Sequence, residues 1–348
     1  GESWDLVLQA RELGVGRDPA LFAEHSGKFF AAAKAAGKPF FLMANSQSPH
    51  RPFANSKQGA ARKKANPNKK KKASNFPVVE NPYKPGDIPV PGFLPPLDKI
   101  KTEMAQYYTS VRRADRITGA VLEELDKAKL ADNTLVMFLS DHGMPLPFAK
   151  TNCYYHSTRT PWIVRLPGVT KPGSVDRKNM VSGIDLAPTV LDILGLKPLE
   201  GMDGRSFRPL LGGKEQSGRD RIFTHFHRTA GRRDYPMRSL LTRRWGYIYN
   251  GWADGKLVFK NESQNGLTMA AMKAAAGSDS SIAERVKLFL YRVPEELYDY
   301  EKDPDALNNL IGDPAHKERV ADFRRQLAEH MKGTSDPQLA PFNKLIGN

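Results

Sequence analysis

Apolar and polar positions alternate along the first two thirds of this chain with two different periods. Phe29–Lys38 reads as the end of an Ala-rich helix closed by Gly37, because glycine takes the left-handed conformation that ends helices. Pro39–Asn45 is an unbroken apolar run, the pattern of a strand buried on both faces. In the segment 99–129, Met104, Tyr108, Val111, Ile117, Val121 and Leu125 fall near one helical face. Thr134–Leu139 is an apolar strand that runs into Ser140-Asp141-His142-Gly143, and Trp162–Leu166 is a second short apolar run stopped by Pro167-Gly168. Asp185 is expected to cap the helix that follows it, which Gly195 closes. Strand and helix alternating up to about Leu196 predicts an α/β architecture, a mostly parallel sheet flanked by helices.

The pattern changes after Gly212-Gly213. Ile222–Phe226, Met237–Leu241, Tyr247–Asn250 and Leu257–Lys260 read as short strands with turn residues between them, which fits antiparallel pairing. Leu267–Gly277 and Ile282–Leu290 read as helical or loosely structured, and His316–Lys332 as a charged amphipathic helix. The expected organisation is therefore an α/β domain over 1–213 and a smaller α+β subdomain with a short antiparallel sheet over 214–348. Within the first, 55–96 is rich in Pro, Gly, Lys and Asn and has no period. It reads as a basic insertion or long loop, and loops of that length are often functional.

Charge adds a class of partner. Lys and Arg outnumber Asp and Glu by 53 to 38, a net charge of +15. Seven of those positive charges lie in Arg62–Lys72, and removing them still leaves +8. A basic surface favours polyanions. No aromatic residue interrupts the Lys run, so a base-stacking surface is not expected there, and nucleic acid is not the expected partner. No apolar run approaches the ~20 residues of a membrane-spanning helix. The first residues carry no basic segment followed by an apolar one, so no signal peptide is visible. The single cysteine, Cys153, excludes an intrachain disulfide.

Asp141 and His142 hold the clearest candidate chemistry. The strand delivers them to its carboxyl end, where ligands sit in open α/β sheets, and carboxylate and imidazole both bind metal ions. The plain alternative is a turn-capping Asp beside a surface His.

In order along the chain, PFFLMANSQSPHRPF, LVMFLSDHG, Lys150 followed by TRTPWIVRLPG, SGIDLAPTVLDILG, GMDGRSFRPLLGG and ELYDYEKDPDALNNLIGDP resemble the sulfatase family of the alkaline phosphatase superfamily. YPMRSLLTRRWGYIYN is most similar to the heparan N-sulfatase (sulfamidase) branch. The resemblance implies an alkaline-phosphatase-like fold and hydrolysis of a sulfuric ester or sulfamate on a sulfated sugar such as N-sulfoglucosamine. It implies one Ca2+ held in part by Asp141 and His142, the latter standing where many relatives carry Asn. His50 would serve the leaving group as hydrogen-bond or proton donor. Lys150 would place a cation on the sulfate, the alternative being an exposed loop lysine. Arg238 and His227 would contact substrate, the alternatives being a packed arginine and an incidental histidine. Ser48 stands where relatives near sulfamidase often have Asp, which affects the substrate contacts expected there.

The family's nucleophile is a formylglycine made within Cys or Ser-x-Pro-x-Arg. Cys153 is followed by Tyr154-Tyr155 and does not fit, and the frame at Pro49-His50-Arg51 puts Gln47 at the nucleophile position. Cys153 is expected to be a plain loop or core thiol. The paired Asp-Asp of the family's metal site also has no counterpart. The expectation is a chain that begins within the catalytic domain, lacks turnover and folds poorly by itself, and comes from a secreted or periplasmic enzyme. Two other readings stay open. One is a phosphatase or phosphodiesterase of the same superfamily, with Zn2+. The other is a non-catalytic module that binds polyanions through Arg62–Lys72.

Overall fold

The computed structural model describes residues 4–56 and 77–347, so the basic run Arg62–Lys72 lies outside the described residues. The chain divides into two compact units, Gly1–Val90 with Pro96–Thr134, and Pro91–Pro95 with Leu135–Asn348. That division falls at 134/135, whereas the change of sequence pattern lies at 213/214. No described helix is long and apolar enough to cross a membrane.

The first unit is built on two helices. Helix α1 (Pro19–Ala36) starts where the Asp18 side chain accepts from the Ala20 N–H, with Pro19 in the first turn, and ends at Gly37 in the left-handed conformation. Helix α2 (Asp98–Lys127) packs along it. The predicted face is visible: Met104, Ile117 and Leu125 are buried with Ile100, while Tyr108, Val111 and Val121 are half-buried. The same helix also buries Glu103, Ser110 and Arg113, because its polar groups hold the loop that follows residue 45. Pro39–Asn45, expected as a buried strand, forms no strand, and Phe41 and Met43 are exposed. A strand needs ladder partners for its backbone groups, and among the described residues this run has none.

In the second unit, β1 (Val136–Leu139) pairs with β2 (Trp162–Arg165). The pairing is antiparallel, with Val136 opposite Arg165 and Leu139 opposite Trp162. The expected parallel pairing is thus not found among the described residues. Parallel strands need a crossover that returns the chain to the starting edge. Here the connection is a loop with a single helical turn, Tyr155–Thr158. Helix α3 (Leu186–Ile193) follows, with Gly195 beyond it in the left-handed conformation. Asp185 precedes it without capping it by side chain. Its carboxylate instead accepts from the Ser182 and Arg205 N–H groups and pairs with Arg219 at 2.5 Å.

The second sheet is antiparallel throughout, in the order β3 (Arg221–Arg228), β4 (Asp234–Thr242), β5 (Trp245–Asn250) and β6 (Glu295–Asp299). Leu257–Lys260, expected as the fourth strand, is irregular. Helices α4 (Leu267–Ala275) and α5 (Ser280–Tyr291) lie between β5 and β6 in sequence, and α6 (Lys317–Gly333) and α7 (Leu339–Ile346) follow. Side chains alternate across the sheet. Leu240, Tyr247, Tyr249 and Leu297 pack with Val320, Phe323, Leu327, Met331 and Phe342 of α6 and α7. The opposite face carries Ile248, Glu296 and Tyr298. That second face supports the loop described next.

Candidate functional site

Strand β1 ends at Leu139, and the chain turns sharply through Asp141-His142-Gly143. Gly143 is required there. A Cβ on it would lie 1.9 Å from the His156 carbonyl oxygen and 2.7 Å from that of Ala149, and its N–H donates to the Ser157 carbonyl at 3.0 Å. The Asp-His turn is therefore pressed against both ends of the following loop. The His142 Nδ1 faces the Gly143 carbonyl at 2.7 Å. A carbonyl only accepts, so Nδ1 carries the proton and Nε2 of the neutral ring holds the lone pair. That Nε2 lies 3.5 Å from Asp141 Oδ2, with Asp141 85% exposed and His142 36% exposed.

A separation of that size is one edge of a coordination polyhedron with bonds of about 2.0–2.6 Å. The pair fits an edge of a metal site but does not complete one. Among the described residues no group of three or more His, Cys, Asp or Glu is placed to hold a metal ion, and calcium takes about six to eight oxygen ligands.

Lys150 sits on the loop that Gly143 touches. It is not the exposed lysine of the plain alternative: the residue is buried, and its Nζ donates to Glu262 Oε2 at 2.7 Å. The loop is held from below by the second face of the four-stranded sheet. Tyr154 Oη donates to Glu296 Oε2 at 2.6 Å. The Phe148 ring lies under the Arg285 guanidinium at 3.7 Å and meets Phe289 edge-on. Asn261 Nδ2 donates to Thr151 Oγ1 at 2.6 Å. Glu262 and Asn261 carried no signal in the sequence, since they lie in a polar stretch without period and meet the loop from more than a hundred residues away.

In the first unit, His50 lies on the Ser48-Pro49-His50-Arg51 loop and is exposed. Its Nδ1 faces the Arg51 carbonyl at 2.7 Å, so this ring too carries its proton on Nδ1 when neutral. The loop is clamped by buried arginines. Arg17 donates to the carbonyls of His50, Arg51 and Pro52 at 3.1–3.3 Å. Arg51 pairs with Glu103 of α2 at 2.7 Å, both side chains buried. Arg113 Nε donates to Ser48 Oγ at 2.8 Å, and burial without a compensating carboxylate lowers its guanidinium to about 10.

Arg238 stands on β4 and His227 on β3. Arg238 is buried, and its fork is taken up by both carboxylate oxygens of Asp336, with Nη2–Oδ1 at 2.8 Å. His227 is half-exposed on β3, with Nε2 4.0 Å from Asp234, which Arg228 also pairs. Cys153 is buried as expected, and burial pushes its thiol up to about 12.

The sulfatase family model matches residues 13–196, and the model described as N-sulphoglucosamine sulphohydrolase, C-terminal, matches 141–256. Asp141, His142 and Lys150 fall within both. An ulvan-active sulfatase of Formosa agariphila is 30% identical over 262 residues, covering 74% of this chain and 43% of that protein. Human N-sulphoglucosamine sulphohydrolase is 31% identical over 269 residues, covering 73% of this chain and 53% of that protein. A solved 2-O GAG sulfatase shares the fold, with TM-score 0.60 at 18% identity, covering 92% of this chain and 64% of that one. The chain spans about half the length of these two curated relatives.

Proposed function

The chain belongs to the sulfatase family, and from that membership we propose that the complete protein is a sulfohydrolase of sulfated sugars, with an N-sulfoglucosamine unit of a glycosaminoglycan as substrate. One observation carries the reading. Gly143 joins the Asp141–His142 edge, here proposed to bind a cation, to the loop that presents the Lys150 ammonium. Cation and ammonium together suit a sulfate group, whose charge grows on its oxygens in the transition state.

Lys150 is proposed to bind a sulfate oxygen. His50, whose Nδ1 faces the Arg51 carbonyl, is proposed to donate a proton to the leaving nitrogen or oxygen. Asp141 and His142 are proposed as two ligands of one calcium ion, whose chemistry when bound is to draw charge from the sulfate oxygens. The nucleophile is proposed to be a formylglycine outside residues 1–348, which contain no Cys or Ser-x-Pro-x-Arg. Arg238 is proposed here only as a support of β4, given its pairing with Asp336. Action on extracellular glycans makes a secreted or periplasmic location part of the proposal.

A second reading has one observation in its favour. The Nε2 lone pair of His142 is a nitrogen ligand, which suits zinc better than calcium, and zinc belongs to the phosphatase reading. Protein from the complete gene, assayed for sulfate release from glucosamine N-sulfate with its metal content measured, separates the two. The expected result is sulfate release with calcium bound, and a loss of about 10²–10³ in kcat for Lys150→Met. Turnover of phosphate monoesters with zinc bound and no sulfate release would overturn the proposal.

A further inference from the structure

Lys150 is a cation that already holds an anion. Its side chain is 10% exposed, and the Glu262 carboxylate lies 2.7 Å from its Nζ. Glu262 is not a surface carboxylate that drifts into contact. It opens a single 3-10 turn, Glu262–Asn265, and the residue before it is latched to the same loop. Asn261 Nδ2 donates to Thr151 Oγ1 at 2.6 Å and to the Lys150 carbonyl at 3.4 Å. Ser263 Oγ donates to Asn261 Oδ1 at 2.7 Å, and Gln264 Nε2 donates to the Phe259 carbonyl at 2.6 Å. Phe259 is fully buried. On the other side Thr151 holds a left-handed backbone, φ +60°, which fixes the turn on which Lys150 stands. The carboxylate is thus delivered to the ammonium by a built element rather than by chance.

Chemically, a carboxylate oxygen at that distance occupies the place a sulfate oxygen would take. Lys150 is too buried to hold both anions in water-like screening. Glu262 is 32% exposed, so its carboxylate borders solvent. We infer that Glu262 is a specificity-determining residue, an internal counter-anion that a sulfated ligand must displace from Lys150. This rests on the proposed role of Lys150 as a sulfate-binding cation. Binding is then an exchange of one anion for another. Singly charged anions such as chloride fail to displace the carboxylate, while sulfate, with two charges and four oxygens, succeeds. The charge on Lys150 stays compensated in both states, which avoids leaving a buried ammonium alone.

The test is a titration of protein from the complete gene with sodium sulfate at constant ionic strength set by chloride, read by calorimetry and by the thermal midpoint. Glu262→Gln keeps the shape and removes the competing charge. It is expected to tighten sulfate binding about tenfold, and Glu262→Ala is expected to act in the same direction. Lys150→Met is expected to lose the Lys150-dependent sulfate binding, and Glu262→Gln is expected to add nothing in that background. If Glu262→Gln and Glu262→Ala bind sulfate as the parent does or more weakly, while Lys150→Met loses it, Glu262 merely props Lys150 and the inference is overturned with the sulfate-binding role intact. If Lys150→Met binds sulfate as the parent does, both fall.

Discussion

At the scale of single residues, spacing along the chain decided what could be read. Asp141 and His142 are adjacent, and one strand delivers both, so a ten-residue pattern exposes them. Arg238 meets Asp336 across 98 residues, and no local pattern announces the pair, so a fork suited to substrate reads the same as a fork spent on packing. The pairing has a pH signature. Burial pushes the Asp336 carboxyl up, but hydrogen bonds from Arg238 and the Gln338 N–H, with the Arg238 charge, outweigh it and leave it below the usual carboxylate value. A depressed carboxylate contributes stability that is complete above its unfolded pKa, about 3.9, and is lost as pH falls through the lower folded value. Urea midpoints of the parent and Asp336→Asn should therefore differ at pH 6 and converge as the pH is lowered through that range. A gap independent of pH would assign the effect to packing. Cys153 gives a second check. With burial raising its thiol to about 12, it should resist alkylation at pH 8 until urea unfolds the chain.

Elements with a sustained period were legible, and those that depend on distant partners were not. α2, α5 and α6 follow their apolar stripes, since a helix satisfies its own backbone. The strand run Pro39–Asn45 had the right composition, but composition cannot supply a neighbouring strand. By its apolar pattern the fourth strand of the antiparallel sheet falls at Leu257–Lys260, the next apolar stretch after β5. The chain instead inserts α4 and α5 and brings back Glu295–Asp299, whose Leu297 sits opposite Tyr247. Within this sheet the apolar face is closed by α7, and Phe342 is fully buried against the rings of Tyr247 and Tyr249. Phe342→Ala should cost about 3–5 kcal/mol of unfolding free energy, read from denaturant midpoints at unchanged m-value. Gly143→Ala belongs at the same scale. It cannot be accommodated against the His156 and Ala149 carbonyls, so it should displace the Asp-His turn. A marked loss of metal affinity is expected, and unaltered affinity would detach that turn from metal binding.

For the whole molecule, the excess of positive charge is the property that no single site explains. The net charge of +15 exceeds what binding one sulfate group needs, and seven of those charges fall in the eleven residues Arg62–Lys72. An enzyme on a small sulfated sugar gains little from them, whereas one that works on a long polyanion gains from charge spread beyond the reacting unit, because electrostatic attraction concentrates the polymer and speeds encounter. Heparin retention and hydrolysis therefore separate the two uses of charge. Deleting 62–72 should lower the salt concentration at which the protein leaves heparin, while sulfate release from a small ester by protein of the complete gene stays unchanged. The remaining +8 should still give weak, salt-sensitive retention, since exposed charges more than about 10 Å apart are screened at 0.1 M salt. If the deletion removes hydrolysis of the small ester as well, the run acts at the site and not as a polymer-gathering surface. If retention is unchanged, the polyanion reading of the charge fails, and the surplus must be assigned to solubility alone.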